Sequence, residues 1–294
     1  MVISNHRCSL GELEVNLREE TLGIGLIGCG AIGSVLAHAI DDGEAGNTRL
    51  VVVYDLILQK CRRLAKRLSV EPQIARSFTE FIGRTDTYLI VEAASQKAVN
   101  QYASKTLEAG KDLMIMSVGA LVDSSLTNEI KELSEKAGRK VYVPSGAIAG
   151  LDAVKSASIG RIDQVTLTTR KPPEGLKDVP YLEQSKINIE ELTKPKTVYK
   201  GPAVEACRLF PANVNVAASL SLAGLGPEKT EVRIVADPTT QRNIHQIEVE
   251  GEFGRFTVLT ENVASPTNPK TSYLAALSAV ATLRKATEHM VIGT

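Results

Sequence analysis

The chain has 294 residues, no net formal charge and 43% apolar residues, enough for one large globular domain or two ordinary ones. The neutral balance points to neither nucleic acid nor an anionic membrane as a partner, and no run of about 18 apolar residues exists to span a bilayer. Residues 1–20 read as a polar extension without the basic patch and apolar core of a secretion signal. The cysteines, Cys8, Cys29, Cys61 and Cys207, share no CxxC or Cys/His spacing, so no metal site and no disulfide framework are expected, and a reducing cytoplasm is the expected location.

From Leu22 to about Pro144 short apolar runs alternate with helical patterns. Strands are expected at Gly23–Ile27, Leu50–Tyr54, Tyr88–Glu92, Leu113–Ser117 and Val141–Pro144. Helices are expected over Ala31–Ile40, Gln59–Leu68 and Lys97–Ala109, and a further one runs from an Asp123 N-cap toward Ala137, with Gly138 beyond its end. Unbroken runs such as Val51-Val52-Val53 suit strands covered on both faces. This order predicts an α/β fold, a doubly wound parallel sheet of Rossmann type, over residues 21–148. Beyond Gly150 the texture changes. Val165–Thr168, Glu231–Val235, Ile244–Val249 and Phe256–Leu259 alternate apolar and polar residues, while Lys171-Pro172-Pro173 and Glu174–Pro180 read as loops. Residues 149–267 are therefore read as a second, α+β domain, followed by a closing helix at Ser272–Leu283 within residues 268–290.

Gly28-Cys29-Gly30-Ala31-Ile32-Gly33 is a GxGxxG between a strand pattern and a helix pattern, the context in which the motif carries meaning. Gly28 would make the tight turn, Gly30 would let a pyrophosphate approach the backbone, and Gly33 would let helix and strand pack closely. The N–H groups heading the helix, at Ala31 and Ile32, suit a diphosphate. Asp55 ends the second strand pattern, where a carboxylate accepts from an adenosine ribose and repels a 2′-phosphate, favouring NAD. Arg62 and Arg63 follow, so NADP stays open. The alternative is a glycine turn that binds no nucleotide. Ala93-Ala94-Ser95 and Ser117-Val118-Gly119-Ala120 follow later strands, as loops along a cofactor or as tight packing.

Three segments of the second half carry a resemblance: Pro144–Asp152, Phe210–Ala218, and Ala236-Asp237-Pro238 with Asn243-Ile244-His245. With the glycine motif and Lys171-Pro172-Pro173, they resemble the L-aspartate dehydrogenase family in matching order from about Thr21 to Arg284. The resemblance implies a homodimer with its interface on the α+β domain. It implies NAD- or NADP-dependent oxidation of L-aspartate to iminosuccinate, which hydrolyses to oxaloacetate and ammonia or passes on toward NAD synthesis. It places the family's active-site histidine on His245 and cofactor contacts on Ala147 and Asn213. Elimination leads to the same histidine, because amine oxidation needs proton steps that suit imidazole. His6 lies in the extension, His38 in the first helix pattern and His289 near the C-terminus. Whether His245 moves protons or holds a carboxylate stays open. Lys171, inside a family-like motif and preceded by Arg170, is the candidate cation for a substrate carboxylate; both also read as solvated strand ends. Asp237 either orients the histidine or caps a turn. The competing readings are a homoserine or dihydrodipicolinate type of reductase and a dinucleotide sensor without turnover. The dihydrodipicolinate type lacks here its paired-histidine segment with a downstream lysine, and the sensor has no need of the Asn213 and His245 segments.

Overall fold

The computed structural model describes residues 21–211, 215–265 and 268–293. The polar extension, with His6 and Cys8, and Asn213 lie outside the described residues. The first half runs β1 (Leu22–Ile27), α1 (Ala31–Asp41), β2 (Thr48–Tyr54), α2 (Leu58–Ala65), β3 (Gln73–Ile74), α3 (Phe78–Ile82), β4 (Leu89–Glu92), α4 (Gln96–Glu108), β5 (Asp112–Ile115), α5 (Ser124–Ala137) and β6 (Val141–Tyr142). All six strands pair in parallel in the order β3-β2-β1-β4-β5-β6. The expected doubly wound sheet is present. Its order reverses between β1 and β4, which opens a crevice at their C-terminal ends.

The unbroken apolar runs are covered on both faces. Ile24, Leu26, Leu89 and Val91 join one buried cluster with Leu36 and Ile40 of α1, while Ile27, Ile90 and Ile115 join another with Val99 and Tyr102 of α4. Asp123 caps α5 by accepting from the Ser125 and Leu126 N–H groups, and Gly138 ends it in the left-handed conformation at φ +62°. Two strands end earlier than expected: β5 stops at Ile115, where a 3₁₀ turn over Val118–Val122 follows, and β6 stops at Tyr142, before Pro144. Proline has no N–H to extend a ladder. The second helix is also shorter, Leu58–Ala65.

The second half comprises α6 (Leu151–Ala157), β7 (Ile162–Lys171), α7 (Pro180–Gln184), β8 (Lys196–Pro202), α8 (Ala203–Leu209), α9 (Asn215–Ala223), β9 (Glu231–Ala236), β10 (Asn243–Gly251), β11 (Gly254–Asn262), β12 (Ala264–Ser265), β13 (Asn268–Ser272) and α10 (Tyr273–Thr287). Five strands form a sheet ordered β11-β10-β7-β9-β8, antiparallel except for β7 beside β9. Val165 and Leu167 of β7, and Ile247 and Val249 of β10, share one buried face that continues the cluster beneath the first sheet. The opposite face is polar, as the period-two pattern requires. Helix α10 returns to the first sheet: Ala279 and Leu283 are fully buried beside α1, and Arg284 donates to the Glu44 carbonyl at 2.7 Å. Among the described residues, no helix is long and apolar enough to cross a membrane.

Candidate active site

The glycine loop leaves β1 and touches β4. Gly28 holds φ +98°, and a Cβ there would collide with the Ala93 carbonyl group; a Cβ on Gly33 would collide with the Gly28 carbonyl. Those two glycines are therefore demanded by the fold itself. Gly30 is different. It has an ordinary φ of −82° and faces open space, with nothing within 4 Å of a Cβ placed on it. Helix α1 starts there with no side-chain cap, so the N–H groups of Ala31, Ile32 and Gly33 head it uncovered by the protein's own side chains. Asp55 accepts from the Cys29 N–H at 2.9 Å and from the Ile57 N–H at 2.8 Å. Each oxygen keeps acceptor capacity for a ribose hydroxyl. A dinucleotide's diphosphate and ribose fit this cradle, because the space at Gly30 is what a side chain would have taken. Beside it, the Cys29 and Cys61 thiols meet at 3.6 Å, and their contact together with burial pushes the Cys29 thiol up.

Behind the next two loops stands Glu92, the last residue of β4. Its buried carboxylate accepts from the N–H groups of Ala94, Ser95 and Ser117 and from the Ser117 hydroxyl, at 2.8–3.0 Å. Burial pushes its pKa up and these donors oppose that rise. One side chain thus ties together the turns after β4 and β5. They form one wall of a cavity of about 240 Å³ that reaches from Ile32 of α1 to the second sheet. Ala147, whose carbonyl accepts from the Asn262 amide at 2.9 Å, and Asn215, which accepts from the Gly119 N–H at 3.0 Å, line it as well.

The floor comes from β7 and β10. His245 lies directly opposite Thr169 in the antiparallel register, so both side chains share a face, and Lys171, two residues on, shares it too. All three are buried, at 3%, 3% and 5% exposure, although Lys171 ends its strand. Thr169 Oγ1 lies 3.0 Å from His245 Nδ1. Burial, reinforced by the Lys171 charge, holds the imidazole pKa down at about 3. Burial alone brings the Lys171 ammonium down to about 8. No acidic side chain is among the described residues lining the cavity. An imidazole neutral at working pH beside a dehydrated ammonium makes a receptor for an anion.

Of the residues singled out from sequence, Ile32, Ala94, Ser117, Ala147, Lys171 and His245 line this one cavity. Gly28, Gly30, Ala31, Gly33 and Asp55 stand beyond Ile32 at the glycine loop. The solvated reading of Lys171 is overturned, because β7 runs on to Lys171 and turns its side chain inward. Arg170 points the other way, half-exposed, and pairs with Asp237 at 2.9 Å. Asp237 also accepts from the Thr239 N–H and hydroxyl; burial raises its pKa, and these donors with Arg170 more than offset it. The carboxylate of Asp237 thus serves its own turn and Arg170, and the side-chain partner of His245 is Thr169. Glu92, Thr169 and Asn215 were not anticipated; an acid ending a strand pattern was the only sign of Glu92.

Residues 152–286 match the family model described as aspartate dehydrogenase, C-terminal, and residues 28–144 match that of the homoserine dehydrogenase NAD binding domain. The L-aspartate dehydrogenase of Methanosarcina barkeri is 48% identical over 273 residues, covering 93% of this chain and 100% of its own. That of Methanocella arvoryzae is 47% identical over 271 residues, covering 92% and 99%. The crystal structure of aspartate dehydrogenase from Thermotoga maritima is similar with a TM-score of 0.73 at 28% identity, over 92% of this chain and 99% of that one.

Proposed function

Because this chain belongs to the L-aspartate dehydrogenase family, we propose that it oxidises L-aspartate to iminosuccinate, which hydrolyses to oxaloacetate and ammonia. The observation that carries this reading is the cavity itself. It begins beside a dinucleotide cradle and ends at Lys171 and His245, a buried cation and imidazole, with no acid among the described residues that line the space between. When bound, NAD supplies the hydride acceptor. The NAD-binding match over residues 28–144 supports that cofactor, whereas the homoserine name attaches to that half alone.

In this reading Gly28, Gly30, Ala31, Ile32 and Gly33 receive the diphosphate, and Asp55 takes the ribose hydroxyls. Ala94, Ser117, Ala147 and Asn213 flank the nicotinamide end. Lys171 Nζ receives a substrate carboxylate, and His245 is the catalytic side chain that meets the substrate beside it. NADP is a second acceptor, admitted by exposed Arg62 and Arg63 past Asp55. The reading divides the chain into a dinucleotide domain over residues 21–148 and a substrate and dimerisation domain over residues 149–267, with the 268–290 segment returned to the first. It describes a cytoplasmic homodimer feeding NAD synthesis. The test follows reduced-nicotinamide absorbance with L-aspartate and either dinucleotide, and with oxaloacetate plus ammonia in reverse. Turnover of L-aspartate but not homoserine or a dihydrodipicolinate substrate is expected. Dinucleotide binding with no absorbance change for L-aspartate in either direction would leave only the sensor reading.

A further inference from the structure

Thr169 and His245 sit on neighbouring central strands, β7 and β10, and face each other in register. Strand β7 is paired on both sides, by β10 and by β9, so its backbone groups are committed to ladders. Among the described residues, the Thr169 hydroxyl has a single hydrogen-bond partner, His245 Nδ1, and the ring has no other. A buried hydroxyl carries one proton that needs an acceptor. If Nδ1–H donated to Oγ1, the hydroxyl proton would be left without one. The satisfied arrangement runs the other way: Thr169 O–H donates, and Nδ1 accepts through its lone pair.

A neutral ring that accepts at Nδ1 carries its proton at Nε2. The ring is neutral, since burial and the Lys171 charge both oppose protonation. Nδ1 being engaged, Nε2 is left for the cavity that the residue lines. We propose that Thr169 locks His245 in its Nε2–H form, so that the histidine meets the substrate as a hydrogen-bond donor and, with Lys171, grips one substrate carboxylate. The proposal rests on the aspartate dehydrogenase reading and decides between the two roles the sequence left open for the histidine. Two donors converging in a cavity lined by no described acid complement an anion, which brings only acceptors. Thr169 is thus a positioning residue, acting through His245.

The test is nitrogen NMR of the imidazole-labelled, cofactor-free protein, with His245 assigned by loss of its signals in His245→Ala. The expected wild-type spectrum has Nδ1 as the bare nitrogen and Nε2 as the protonated one. Thr169→Val removes the hydroxyl at nearly constant shape and should mix the two tautomers, and Thr169→Ser should restore the first. In the loaded enzyme Thr169→Val should raise KM for L-aspartate about three- to tenfold, as expected for one buried hydrogen bond, with kcat within about twofold and NAD affinity unchanged. A protonated Nδ1 in the wild-type protein overturns the proposal, and so does a Thr169→Val spectrum identical to wild type. The wild-type spectrum decides the tautomer even if the valine variant does not fold. Normal aspartate kinetics in His245→Ala would instead overturn the functional reading and leave the tautomer result standing.

Discussion

The two ends of the cavity are built on opposite principles. At the glycine loop the protein leaves backbone N–H groups uncovered and removes a side chain at Gly30, so a ligand completes the structure. At the β7–β10 floor the polar side chains are instead buried. Lys171 and His245 are held dehydrated, one near its titration point and the other far from protonation. The first end recognises by shape and dipole and tolerates any diphosphate of the right reach. The second recognises by charge in a medium where charge is poorly solvated, so its selectivity is sharper and depends on pH. A chain that oxidises a small dicarboxylic amino acid with a large, modular cofactor needs both.

The largest effect is expected at the glycine loop. Gly30→Val puts a branched side chain into the open space at the helix N-terminus, and its φ of −82° allows that residue. Calorimetry should show NAD affinity falling by on the order of a hundredfold, with the melting transition preserved. A folded variant with wild-type NAD affinity would separate the loop from the cofactor. His245→Ala comes next and touches the other end alone. It should lower kcat/KM for L-aspartate by about 10- to 100-fold, the worth of a hydrogen bond to a charged group, while NAD affinity stays put. If NAD affinity falls in step with kcat/KM, the two ends are one site and the contrast between them fails.

How much of this contrast was legible in the sequence follows from the range over which each feature is determined. The glycine loop is local: strand, turn, helix and Asp55 occupy consecutive stretches, and each glycine's task follows from its place. The floor is not local. Thr169 and His245 are 76 residues apart and meet only because β10 pairs with β7 in one register. A slip of one residue would turn every side chain of β10 to the other face. Lys171 beside Pro172 and Pro173 reads as the start of a loop, and only the full length of β7 shows its burial. Strand β8 was missed because Lys196–Pro202 is polar and ends in proline; it is an edge strand, where a missing N–H is tolerated. Glu92 resembled an ordinary strand end, since four converging donors from two loops leave no mark in sequence.

A smaller effect refines the account of the cofactor end. Asp55→Ser removes the carboxylate that would repel a 2′-phosphate, and the ratio of catalytic efficiencies should shift toward NADP by about tenfold, a change of roughly 1.4 kcal/mol. An unmoved ratio would place Asp55 away from the ribose and assign it only to the Cys29 and Ile57 N–H groups it already holds.

The central claim is that the buried cation of the floor receives the substrate's carboxylate, and the binding of succinate as a function of pH tests it most directly. Succinate carries both carboxylates but no amine, so above pH 6 the titrating group facing it belongs to the protein. Lys171 has its pKa lowered to about 8, so it is an ammonium below that pH and a neutral amine above it. His245, at about 3, stays neutral throughout. Affinity should therefore be full near pH 7 and fall about tenfold per unit above pH 8 or so. Lys171→Met should bind weakly at every pH, with a flat profile. Succinate affinity independent of pH from 7 to 10 in the wild-type protein, or a Lys171→Met variant that binds it normally, would contradict the account.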